Sequence, residues 1–260
     1  MPKFAANLGL MFIEAEFLDR FEAAADAGFK AVECIFPYAY SAAEIKQRLD
    51  DHDLMLAKFN LPPGDSNAGD FGLTAVPGRE SEFRESVGKA IEYARLLACP
   101  QLHTLAGLAP EGRDPTKCME TYVENLSFAA THLAEHGVRL LIEAVNTRDF
   151  PGYFLSHTAQ ALEVLDTVAS ENLFLQYDVY HAQIMEGDLA ETIRANIDVI
   201  RHFQIAGVPG RHEPDVGEIN YRFLFNLIDS LGYENWIGCE YHPRAGTVEG
   251  LGWANAYGIG

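Results

Sequence analysis

RLLIEAVNTRDFPGYFLSHTAQALEVLDTVASENLFLQYD, residues 139–178, holds one complete strand–helix–strand unit. The apolar run Arg139–Ala144 reads as a strand that closes on an acid, Glu143. Thr158–Ala169 reads as a helix, and Leu173–Tyr177 as the next strand, again followed by an acid, Asp178. A helix joining two buried apolar strands brings them side by side in parallel, because a parallel pair needs a crossover of this length.

The same alternation runs in both directions from this unit. Strands are expected before it at Phe4–Leu8, Ala31–Ile35, Leu54–Phe59 and Gln101–Leu105, and helices at Glu14–Ala27, Ser41–Asp51, Glu80–Leu97 and Pro115–His136. A helix at Leu189–Ile200, a strand at His202–Ile205, a helix at Tyr221–Leu231 and a strand at Trp236–Cys239 follow it. Gly28, Gly137 and Gly232 stand where three of the helices should stop. Ser41 with Glu44 three residues on is a capping box. The tail from Pro243 is Gly-rich, with room for one short closing helix. Eight alternations in 260 residues, with no break in composition, predict an α/β fold: a single (β/α)8 TIM barrel domain over residues 1–260. An open doubly wound sheet alternates similarly, but no GxGxxG or GxxxxGKS/T loop follows any strand.

Formal net charge is -19 at pH 7, from 38 acids against 19 Lys plus Arg. Such a surface repels nucleic acid and anionic membrane, so neither is an expected partner. A small-molecule substrate is, even an anionic one, because a local Arg or metal overrides the global field. Cys34, Cys99, Cys118 and Cys239 form no CxxC pair and suit a reduced, cytoplasmic protein. No apolar run reaches the roughly 18 residues of a membrane span. A homo-oligomer is compatible with all of this.

In a barrel of this kind, chemistry sits at the C-terminal ends of the strands. Strand five ends in Glu143, strand six in Asp178 with His181 beyond it, strand seven carries Gln204, and strand eight ends in Glu240. One acid after an apolar strand is most often a helix cap or a solvated residue. Four such residues on consecutive strands point to a site. Three converging carboxylates need protons or a cation to coexist, and all-oxygen ligands suit Mg²⁺ or Mn²⁺. Arg211, in the loop GVPGRHEP, is a candidate to pair with a substrate carboxylate. Lys58, Asn60 and Arg79 are weaker candidates, and His103 is balanced between site and core. His202 reads as core. Phe36, Tyr38, Phe71 and Trp253 are candidate pocket walls. The Gly- and Pro-rich stretch 60–79 reads as a lid or binding loop.

The stretches FAANLGLMF, AVECIFPY, NLPPGDSNAGDFGLTAVPGRE, LLIEAVN, QYDVYHAQ, HFQIAG, RHEPDVGEINY and WIGCEYHPR resemble the hydroxypyruvate isomerase family, a branch of the xylose-isomerase-like barrels. The resemblance covers essentially the whole chain. It implies an aldose–ketose type isomerase in which Glu143 and Glu240 form the proton donor and acceptor pair. It also implies that Glu143, Asp178, Gln204 and Glu240 can hold a divalent metal, and that His181 and Arg211 contact substrate. The relatives' strand-seven ligand is usually His; the neutral Gln204 in its place makes the metal weaker or dispensable. The implied reaction interconverts hydroxypyruvate and tartronate semialdehyde. Isomerisation of a 2-oxo-tetronate, one carbon longer, and 3-epimerisation of a ketose are the alternatives.

Overall fold

The computed structural model describes residues 1–109 and 114–260. Its eight strands are all parallel, hydrogen-bonded in chain order, and the eighth pairs with the first to close a barrel. They are Lys3–Asn7 (β1), Ala31–Cys34 (β2), Met55–Asn60 (β3), Gln101–His103 (β4), Arg139–Glu143 (β5), Leu173–Asp178 (β6), Ile200–Ile205 (β7) and Trp236–Cys239 (β8). The helices outside are Arg20–Asp26 (α1), Ala42–Asp51 (α2), Glu80–Leu97 (α3), Pro115–Ala134 (α4), Thr158–Val168 (α5), Val179–Met185 (α6), Leu189–Asn196 (α7) and Tyr221–Ser230 (α8). No helix among the described residues is long and apolar enough to cross a membrane.

Alternation along β1 shows how the sequence sorts its faces. Phe4, Ala6 and Leu8 join the apolar shell between strands and helices, while Ala5 and Asn7 turn to the barrel interior. The capping box at Ser41 forms as expected: Ser41 Oγ accepts from Glu44 N, and the Glu44 carboxylate accepts from Ser41 N.

Two helical regions differ from the sequence expectation. The first helix is confined to Arg20–Asp26, with one 3₁₀ turn at Phe17–Asp19 before it. Arg20 donates to the carbonyls of Leu8 and Ala15, tying residues 8–15 down as an irregular turn. The helix Val179–Met185 is new. It starts directly on Asp178, whose Oδ1 accepts from Tyr180 N at 2.8 Å, so the residue that ends β6 also caps α6.

The loop over residues 60–79 is pinned to the segment that follows β4 rather than free. Gly72 pairs with Ala106 at φ +107°, and a Cβ there would collide with the Leu105 carbonyl. Thr74 Oγ1 meets Thr104 Oγ1 at 2.7 Å. Arg79 clasps Asp70 and Glu82. The loop thereby brings Phe71 over the strand ends, stacked on Phe150 at 4.7 Å between ring centroids.

Candidate active site

A cavity of about 210 Å³ opens at the C-terminal mouth of the barrel. Lys58, Glu143, Gln176, His181, Arg211 and Glu240 supply its polar lining, and Phe36, Phe71 and Phe150 its apolar walls. A larger hollow, of about 520 Å³, lies between α8 and the C-terminal segment around Trp253 and Tyr257. It holds none of the strand-end acids, so the chemistry belongs to the smaller cavity.

The structure brings Glu143, Glu240, His181 and Arg211 to this one cavity. Arg211 Nη2 donates to Glu240 Oε2 at 2.5 Å and lies 3.4 Å from Asp178 Oδ2. Its backbone sits at φ +56°, a conformation few non-glycine residues adopt, so the loop is bent to deliver this side chain. His181 is held by Asn146, whose Nδ2 lies 2.6 Å from His181 Nδ1, leaving Nε2 3.4 Å from Asp178 Oδ2. Asp178 therefore serves two elements: one oxygen caps α6, the other faces Arg211 and His181.

Gln204, expected among the metal ligands, is hydrogen-bonded at both ends of its amide. Its oxygen accepts from Gln176 Nε2 at 2.6 Å and its amide donates to Glu33 Oε1 at 2.6 Å. Among the acids and histidines of the described residues, Glu143, Asp178 and His181 converge, each placing one potential ligand atom within 4.8 Å of the others. Glu143 Oε1 is buried without a hydrogen-bond partner, which leaves it open to a cation or a substrate proton.

Among the weaker candidates, Lys58 and Asn60 line the cavity. Arg79 is engaged in the loop clasp, and Trp253 packs on Phe4 and Phe225 on the outside. Tyr38 donates to the Asn60 carbonyl from behind the wall. His103 is buried with Nε2 3.6 Å from Glu143 Oε2. His202 lies in the core against Glu33.

Burial pushes the Glu143 carboxyl well above the usual carboxylate range, and the charges of Asp178 and Glu240 push it further. Burial also raises Glu240, but Arg211 and Lys58 pull against it. Asp178 is raised by burial against the pull of Arg211. Burial, helped by Arg211, drives His181 down to about 3, and burial drives His103 well below its usual value. Both imidazoles are neutral near pH 7.

Sequence reasoning missed the residues beneath the cavity. Glu33, fully buried in β2, accepts from Asn7 at 2.8 Å, from Gln204 at 2.6 Å and from His202 at 2.5 Å. Burial alone would raise it; the charges of Lys58 and His202 and the hydrogen bonds from His202 and Gln204 hold it down to about 2. Asn7 also donates to Glu240 Oε1 at 2.9 Å, so one amide bridges the two carboxylates. Gly238 makes this possible, because a Cβ there would run into the Glu33 carboxylate. The available signal was a Glu inside the otherwise apolar run AVECIF.

The xylose isomerase-like TIM barrel family matches residues 21–257. The 2-oxo-tetronate isomerase of Cupriavidus necator is 54% identical over 99% of this chain and 99% of its own. The hydroxypyruvate isomerase of Escherichia coli is 46% identical over 99% of this chain and 100% of its own. A crystal structure described as an AP endonuclease, family 2, from Brucella melitensis is 49% identical over 99% of both chains, with a TM-score of 0.97.

Proposed function

The chain belongs to the xylose isomerase-like TIM barrel family and is an isomerase, and from that premise we propose that it shifts a proton between adjacent carbons of a short 2-oxo acid, interconverting hydroxypyruvate and tartronate semialdehyde. One observation carries this reading: two glutamates line a single small cavity, and their surroundings separate their protonation. Burial and the charges of Asp178 and Glu240 raise Glu143 well above the usual carboxylate range, which favours its acid form, whereas Glu240, also raised by burial, lies 2.5 Å from Arg211, which favours its carboxylate.

Glu240 takes the proton from the hydroxymethyl carbon, C3. The electron pair closes a C2=C3 double bond and moves charge onto the C2 oxygen. The C3 hydroxyl passes its proton to that oxygen, and Glu143 delivers its own proton to C2. Hydroxypyruvate has then become tartronate semialdehyde, with the enzyme's proton moved from Glu143 to Glu240. Transfer back to Glu143 resets the pair, and the reverse reaction uses the opposite assignment. Neutral His181, braced by Asn146, and Arg211 face the substrate from the β6 and β7 side. Phe71 and Phe150 exclude water above it.

Glu143, Asp178 and His181 would hold a divalent ion such as Mg²⁺ or Mn²⁺. Such an ion would supply Lewis-acid stabilisation of the enediolate oxygens. The four free, buried cysteines support a cytoplasmic location. A nuclease reading has little support: a phosphate backbone approaching this mouth would meet a chain of charge -19 and a cavity sized for a few carbons.

The 54% identity to the Cupriavidus necator enzyme favours a second reading, a 2-oxo-tetronate as substrate. Incubation with each acid in D₂O, followed by NMR, tests both. Deuterium at the carbon next to the carboxylate, with appearance of the isomeric product, is the expected result, and the acid with the higher kcat/KM is the substrate. No exchange with either acid overturns the proposal.

A further inference from the structure

Two cationic side chains line the cavity, Lys58 and Arg211, and they are not equivalent. Arg211 is already committed: its Nη2 serves Glu240 and Asp178, and its Nε donates to the Glu240 carbonyl. Lys58 is not. It is 1% exposed, and its one hydrogen bond is to the neutral Asn60 Oδ1, at 3.0 Å. No carboxylate among the described residues forms an ion pair with it within 4.0 Å. Glu33, whose charge Lys58 stabilises, has both oxygens taken by Asn7, Gln204 and His202. An ammonium carries three donors, and a buried one with two unanswered is expensive to keep.

Lys58 stands on β3, next to Asn60 and His103, across the barrel from the Arg211 loop. A substrate lying between Glu143 and Glu240 thus has at one end an ammonium with no carboxylate partner, and at the other a guanidinium already paired with two carboxylates. We propose that Lys58, with Asn60 beside it, is the carboxylate anchor of the substrate, and so selects a 2-oxo acid over a neutral sugar of the same length. Asn60 Oδ1 aims the ammonium, and the carboxylate accepts its remaining protons. Arg211 is left to orient Glu240. This inference rests on the isomerase reading above, since it supplies the acid that the reaction consumes.

The test compares glycerate, which has the carboxylate but no carbonyl to isomerise, with glycerol, which has neither. Binding of both is measured by calorimetry to wild type and to Lys58→Met, which keeps most of the buried stem. Wild type should prefer glycerate, and Lys58→Met should lose glycerate affinity by about 10- to 100-fold, the size of a charge-assisted contact. Its loss on hydroxypyruvate should fall mainly in KM. In Lys58→Ala, added ethylammonium should restore glycerate binding and ethanol should not, a result that a merely structural role would not give. Unchanged glycerate affinity in Lys58→Met, no glycerate binding to wild type, or a loss confined to kcat would each overturn the anchor. Wild type that binds glycerate through Lys58 yet exchanges no deuterium into either acid would instead sink the isomerase reading and leave the anchor standing.

Discussion

The two halves of the barrel carry opposite kinds of polar residue. From β5 to β8 the strand ends present Glu143, Asp178 and Glu240, with Arg211 between the last two. From β1 to β4 the inner residues are Asn7, Glu33, Lys58, Asn60 and His103, bonded to one another and to Glu240, Gln204 and His202. In the proposed reaction the first group holds and moves protons. The second fixes where the first can stand: Asn7 grips Glu240, and Glu33, through Gln204 and Gln176, leads toward Glu143. The difference teaches that a strand-end acid is placed as much by neighbours across the barrel as by its own strand.

Substitution in the acidic half should break the comparison hardest. Glu143→Gln and Glu240→Gln are expected to lower kcat by about 10²- to 10⁴-fold, the usual share of a general acid or base. Circular dichroism and thermal melts should show the fold retained, and near wild-type turnover in either variant would remove the pair from the mechanism.

Glu33→Gln probes the supporting half. The amide would set a donor against the donors of Asn7, Gln204 or His202, and Lys58 would lose its counter-charge. A destabilisation of about 3–5 kcal/mol in urea titrations is expected, with kcat/KM reduced at a temperature where the variant is folded. If stability and turnover both stay put, the two halves do not communicate.

Metal removal bears on the acidic half alone. With Arg211 and Lys58 already supplying positive charge, dialysis against EDTA should reduce kcat by no more than about tenfold, with recovery on adding Mg²⁺ or Mn²⁺. Complete and reversible loss would make the ion indispensable instead.

Stability against pH separates Glu33 from Glu143 by sign. Glu33, held near 2, and His181, held near 3, both bind fewer protons folded than unfolded between about pH 3 and 4.5, so stability climbs with pH there. Above 4.5 Glu143, with its raised value, binds more protons folded than unfolded and opposes the continuing gain from His181. Urea midpoints should therefore rise more steeply above pH 4.5 in Glu143→Gln than in wild type; equal slopes would contradict the raised Glu143. The smallest effect is expected at the loop clasp. Arg79→Ala removes two partly exposed ion pairs, a cost of about 1 kcal/mol at most, read as a rise in KM of a few fold.

Much of the barrel is legible in the sequence, because apolar strands alternating with amphipathic helices leave little topological choice. The ends of Glu80–Leu97 and Trp236–Cys239 coincide with the expectation, each fixed by local composition. The helix Val179–Met185 was hidden because Asp178 reads equally well as a strand end, a cap and a site acid, and it is all three in space. Glu143, Glu240, His181 and Arg211 could be read from strand-end position. Glu33 and Asn7 could not: their partners lie on distant strands, and only closure of the ring brings Asn7 between β2 and β8. The bonds of Gln204 to Gln176 and Glu33 were hidden for the same reason.

Gly238 and Glu33 also set an order on change. Any side chain at position 238 strikes the Glu33 carboxylate. A lineage could gain one there only after shortening residue 33, and having gained it could not take the glutamate back. The contact works as a ratchet: each position, harmless to alter alone in a different chain, has its history written by the other.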